Sequence, residues 1–180
     1  MNDIIVFKTF NPLNMNKILF GLFVSIVMII ACQPKPKTEP LDLEAEKAAI
    51  GTFLDGFNTA FNAKDSNAMV ALLTDDVLCC GTDPSEFLNK REIAHLWAQF
   101  MADTALTINY AYDRREIRIA ADGKSAIIIE QYKLPLVSAK IPLRNIYHAV
   151  KQQENWMFDF MSWNFIPKNE DVPKLDQALE

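Results

Sequence analysis

A chain of 180 residues with 18 Lys and Arg against 23 Asp and Glu carries a formal charge of -5. Its basic residues are scattered, so it lacks the basic stripe that would neutralise nucleic-acid phosphates. Half of its residues are apolar, enough to close one core in a domain of this length.

The first element is a leader. Lys17 precedes Ile18 to Ile30, an apolar run of about 13 residues, against the ~20 that a membrane-crossing helix needs. Ile29-Ile30-Ala31-Cys32 closes the run and Pro34, Pro36 and Pro40 follow. This is similar to a bacterial lipoprotein signal with its lipobox, with residues 1–32 as the leader and Cys32 as the lipid acceptor. The protein is then expected in the bacterial cell envelope, exported and held to a membrane through the lipid on Cys32. Met15 is a second reasonable start, since Asn16-Lys17 leads directly into the apolar run. Residues 33–42 read as an extended, proline-containing tether.

The remaining cysteines, Cys79 and Cys80, are adjacent, and bridging neighbours closes a strained ring. They read better as two small residues on a strand. No Cys-x-x-Cys, zinc spacing or glycine-rich phosphate loop occurs, so neither a cofactor nor a metal is expected.

From Leu43 the period is helical. Ile50, Phe53, Leu54, Phe57 and Phe61 share one face of a helix from Leu43 to Asn62. Asp65 caps a short second helix running to Leu73, and Thr74-Asp75-Asp76 stops it before a short strand, Val77 to Cys80. Asn89 followed by Glu92 is a capping-box signature for a third helix with Ile93, Leu96, Trp97, Phe100 and Met101 on its apolar face. His95 falls on the opposite, solvated side.

After Thr104 the period changes to two. Leu106, Ile108, Tyr110 and Tyr112 alternate, then Ile117 and Ile119, with a reversal of face across Asp113-Arg114-Arg115-Glu116 that signals a bulge or bend. Asp122-Gly123 marks a hairpin into Ser125 to Leu134. A connection bracketed by Pro135 and Pro142 leads to a strand Leu143 to Lys151, and Trp156 to Ile166 completes an antiparallel meander. Residues 168–180 read as a polar tail. Helices followed by long strands define an α+β domain over residues 43–167, with three N-terminal helices on a strongly curved antiparallel sheet.

Phe57-Asn58-Thr59-Ala60-Phe61-Asn62-Ala63-Lys64-Asp65, continuing through Ala68-Met69 and Leu72 to Val77, resembles the opening of SnoaL-like domains of the nuclear transport factor 2-like superfamily. The spacing of Arg144 to Trp156 is similar to that family's penultimate strand and final hairpin. The resemblance implies a cone, with the sheet wrapped around the first helix and a pocket between them. It extends to isomerases, dehydratases and cyclases as well as noncatalytic binding domains, so the fold does not choose the function. The histidine common on the last strand of one branch is Ser162 here. Many relatives pair, so a homodimer through the convex side of the sheet is expected.

Alternation nominates the site residues. Glu130 shares a face with Ile128, Tyr132 and Leu134, and Arg144 shares one with Ile146 and His148. In an even register Glu130 lies across from His148, a carboxylate–imidazole pair suited to acid–base chemistry, or a plain cross-strand pair on a solvent face. Asp159 is a further base candidate, on a strand whose two faces are equally apolar. Trp97, Tyr110, Tyr112, Tyr132, Arg144 and Trp163 form an expected ligand pocket, although the aromatic residues also suit plain core packing. Two functions follow: binding of a small, largely apolar molecule or a protein partner without catalysis, or a cofactor-free isomerase, dehydratase or cyclase using His148, Asp159 and Glu130.

Overall fold

The computed structural model describes residues 41–179, and the leader, Cys32 and most of the tether lie outside them. Helix α1 (Leu43–Asn62) starts at Asp42, whose carboxylate accepts from the N–H groups of Glu44 and Ala45. It ends at the turn Ala63–Asp65, with Lys64 at φ 57°. Asp65 caps the six-residue α2 (Ser66–Ala71). Strand β1 (Leu73–Cys80) begins earlier than the sequence suggests, because Thr74 is buried in the sheet rather than ending a helix. A two-residue β2 (Phe87–Leu88) returns on it, and α3 (Lys90–Ala102) opens with the expected capping box of Asn89 and Glu92.

Four strands then meander: β3 (Tyr112–Ile119), β4 (Ser125–Leu134), β5 (Ser138–Gln152) and β6 (Asn155–Phe165). A helix α4 (Val172–Ala178) occupies the stretch expected to be a polar tail. The strand order is β2-β1-β6-β5-β4-β3, with β1 parallel to β6 and every other pairing antiparallel. The expectation of three helices on a strongly curved antiparallel sheet is therefore corrected. The sheet is mixed and open, with β2 and β3 as separate edges, and the described residues hold four helices.

Two further boundaries differ for identifiable reasons. Residues 106–111 alternate like a strand and bury Ile108 and Tyr110, yet they do not join the sheet. The side chain of Asn62 takes both backbone groups of Tyr110, accepting its N–H at 2.7 Å and donating to its carbonyl at 3.1 Å. One amide at the end of α1 thus stands where a neighbouring strand would. Strand β5 runs through Pro142 because that residue needs only its carbonyl in the ladder, where it accepts from Ile166 N–H at 2.9 Å.

The core lies between α1, α3 and one face of the sheet. Ile50, Leu54 and Phe57 of α1 meet Tyr147 and Phe158, with ring centroids 6.3 and 5.2 Å from Phe57. Bulges set which side chains reach this face. The reversal expected near Asp113 is present as a register shift between Tyr112 and Arg114. A second shift lies at Asp159, since His148 pairs with Phe160 while Ala149 pairs with Phe158. Phe158, Met161 and Trp163 consequently share the core face although they are not evenly spaced.

Candidate functional site

A cavity of about 290 Å³ opens between α1, α3 and the inward face of β4, β5 and β6. Phe57 and Phe61 of α1, Trp97 and Phe100 of α3, and Trp163 of β6 supply apolar walls. Trp97 and Trp163 meet edge to face with centroids 6.3 Å apart. Leu96 and Phe100, expected in the core, are instead more than a third exposed and stand at the mouth with Thr82 and Val137.

The floor is polar. Tyr110, Tyr132, Asn145 and Tyr147 all line the cavity and are buried. Tyr132 donates its hydroxyl proton to Asn145 Oδ1 at 2.8 Å, and Asn145 Nδ2 donates to the Tyr147 oxygen. Tyr110 donates to Glu130 Oε2, and Arg115 Nε donates to Glu130 Oε1 at 2.6 Å. Arg115 also reaches Asp55 on α1 at 2.8 Å. Glu130 is fully buried yet is not part of the cavity wall, because it lies behind Tyr110 with each oxygen engaged. This fits the rule that a buried charge must be paired and hydrogen-bonded.

The environment fixes the protonation of the floor. Burial pushes the Tyr147 hydroxyl well above its ordinary value, and the charge of Glu130 adds to the effect. Burial does the same to Tyr110, with Tyr147 and Glu130 contributing, and to Tyr132. All three phenols are neutral at physiological pH. Arg115 is held above its ordinary value: burial opposes its charge, and the bonds to Asp55 and Glu130 outweigh that.

The nominated residues divide between the two faces of the sheet. Trp97, Tyr110, Tyr132 and Trp163 line the cavity. Tyr112 does not; it is exposed at the edge strand beneath the guanidinium of Arg115, 3.9 Å from its ring centroid. Arg144 points outward and donates to Gln131 at 3.1 Å. The Glu130–His148 pairing is not formed. Glu130 pairs with Asn145, and His148 pairs with Ile127 on the opposite face. There His148 Nδ1 meets Asp159 Oδ1 at 2.6 Å, with side chains 32% and 29% exposed.

Sequence reasoning missed Asn145 and Tyr147. The parity of β5 carried the signal, since Leu143, Tyr147 and Ala149 form its more apolar stripe and Asn145 lies within it. It also missed Gly81 and Glu86 at the mouth, where a glycine beside a short acidic loop was the available sign.

The match to known proteins agrees with this architecture. Residues 50–160 match the SnoaL-like domain family, and the chain belongs to that family. No curated protein sequence matches it. An NTF2-like protein of unknown function from Pseudomonas putida has a similar structure, with a TM-score of 0.61 at 14% identity, over 71% of this chain and 91% of that one. A protein of unknown function from Pectobacterium atrosepticum is similar with a TM-score of 0.60 at 13% identity, over 72% and 98%. A candidate dehydratase of the NTF2-like family from Streptomyces avermitilis is similar with a TM-score of 0.59 at 13% identity, over 69% and 98%. At these identities the likeness establishes the fold alone, a cone-shaped, nuclear transport factor 2-like fold with a mixed sheet.

Proposed function

We propose that the domain binds a small, largely apolar molecule without chemically changing it. The observation that carries this reading is the floor of the cavity, where neutral hydroxyls and one amide face an apolar chamber while the carboxylate behind them is already saturated. Such a floor can orient a hydroxyl or carbonyl group of a ligand whose body is held by Phe57, Phe61, Trp97 and Trp163. Catalysis by proton abstraction needs a base within hydrogen-bond reach of the substrate. Neither histidine of the chain lines this cavity, Glu130 stands behind Tyr110, and the one lining carboxylate, Glu86, stands at the mouth and not on the polar floor. The likeness to the Streptomyces protein is the argument for a dehydratase, and His148 and Asp159 would have to serve that chemistry from the other face.

Two of the three tryptophans line the cavity, which gives a direct test. Titration with ethylbenzene should change the emission of the full chain. The change should persist in Trp156→Phe and be lost in the double variant Trp97→Phe, Trp163→Phe. A signal that disappears with Trp156 alone, or no binding at all, contradicts the reading.

We propose further that Cys32 carries a lipid that holds the domain at the bacterial envelope, on the strength of the apolar run and the residues that close it. Incorporation of a labelled lipid precursor that is equal in wild type and Cys32→Ala would remove this. A homodimer through the outward face of the sheet is proposed from Leu78 and Ile127, each exposed by more than 40% on that face. A monomeric mass in light scattering contradicts it.

A further inference from the structure

We propose that the ligand of the cavity is an organic cation, an amine or ammonium group on an apolar body, with its charge held at the mouth by Glu86. The inference rests on the ligand-binding reading above and specifies the class of ligand. Among the described residues that line the cavity, Glu86 is the only charged one, and the wall contains no Lys, Arg or His. The carboxylate has spare capacity. Its Oε2 accepts from the N–H of Asp83 at 3.1 Å, and no described residue donates to its Oε1 or forms an ion pair with it.

The position of Glu86 depends on Gly81. A Cβ built on Gly81 would lie 1.8 Å from Glu86 Oε2 and 2.5 Å from its Cδ. The carboxylate therefore occupies the space a side chain would fill, at the rim of the cavity that both residues line. Gly81 does not adopt a positive φ, so close approach, rather than backbone conformation, is what glycine provides here.

The neighbouring walls reinforce the preference. Phe57, Trp97, Phe100 and Trp163 present aromatic rings to the chamber, and ring faces attract cations, trimethylammonium groups included. An anion would meet Glu86 with no counter-charge on the lining and would enter at a cost.

Calorimetry with three probes at pH 7 separates the outcomes: 2-phenylethylammonium, ethylbenzene as the neutral body, and 3-phenylpropanoate as the anion. The wild-type chain should bind the ammonium more tightly than the anion. Glu86→Gln should weaken the ammonium about five- to tenfold while leaving ethylbenzene within about twofold. Gly81→Ala, which keeps the charge but displaces it, should give a similar loss for the ammonium alone. Unfolding monitored by circular dichroism checks that both variants are folded at the assay temperature. If the ammonium and the anion bind alike and neither substitution separates them, the cation proposal is overturned while the pocket remains a ligand site. If ethylbenzene also fails to bind, the ligand-binding reading fails and the cation proposal with it.

Discussion

Strand β5 shows two surfaces of one molecule. Its inward residues Leu143, Asn145, Tyr147 and Ala149 are buried, and its outward residues Arg144, Ile146, His148 and Val150 are partly or fully exposed. Inward, the polar groups of the floor are neutral or locked behind a neutral one, and the one lining carboxylate, Glu86, stands at the mouth. Outward, an imidazole and a carboxylate face each other in partial contact with water. The residues that first suggest chemistry thus stand on the surface without the cavity, and the cavity is lined by groups suited to recognition. A titratable group costs little where water still reaches it, as at His148 and Asp159 or at Glu86 on the mouth, whereas a fully buried charge is tolerated only when it is paired, as Glu130 is with Arg115.

The contrast can be broken most severely at Glu130. Glu130→Ala leaves Arg115 and Tyr110 without their buried acceptor and should cost about 3–5 kcal/mol in urea unfolding. A loss below about 1 kcal/mol would mean that the Arg115–Glu130 contact does not organise this face.

Alkaline pH should come next. Burial pushes the Cys79 thiol up to about 12 from an ordinary value of 9.0, and it holds the inward tyrosines above 10.0. These folded-state values are raised, so their contribution is fully present below pH 9. It falls as the unfolded chain releases protons that the folded chain retains, by about 1.4 kcal/mol per pH unit for each group in its window. For Cys79 the window is pH 9 to 12. Thermal melts should be flat in this respect up to pH 9 and decline above it; a decline that begins near neutrality would place a titrating group on the inward face.

Tyr147→Phe removes the acceptor of the Asn145 amide and should cost about 1–2 kcal/mol. His148→Ala breaks a partly exposed pair and should cost no more than about 1 kcal/mol, with little effect inside the cavity.

Most of the architecture was legible in the sequence where the pattern was local. Asn89 and Glu92 announced α3, Ile50 to Phe61 announced α1, and the bulge near Asp113 showed as a reversal of face. The remainder depended on contacts between distant residues. Asn62 satisfies Tyr110 across 48 residues, which turned an apparent strand into a covering segment. The parallel pairing of β1 with β6 joins opposite ends of the domain and leaves no short-range mark. At the site, Tyr110, Tyr132, Trp97 and Trp163 were legible as large aromatic residues. The separation of Glu130 from His148 was not, because the β4–β5 register is set by a turn at residues 135–137 and a shift between Tyr132 and Leu134. One residue of slip exchanges the faces.

Tyr147 and His148 are neighbours in the chain and lie on opposite faces of the sheet, so one pair of variants tests where recognition resides. Calorimetric titration of 4-ethylphenol should give an affinity weakened about fivefold or more in Tyr147→Phe and unchanged within about twofold in His148→Ala. An affinity that is lost in His148→Ala and kept in Tyr147→Phe would move the functional surface to the outward face and contradict the account.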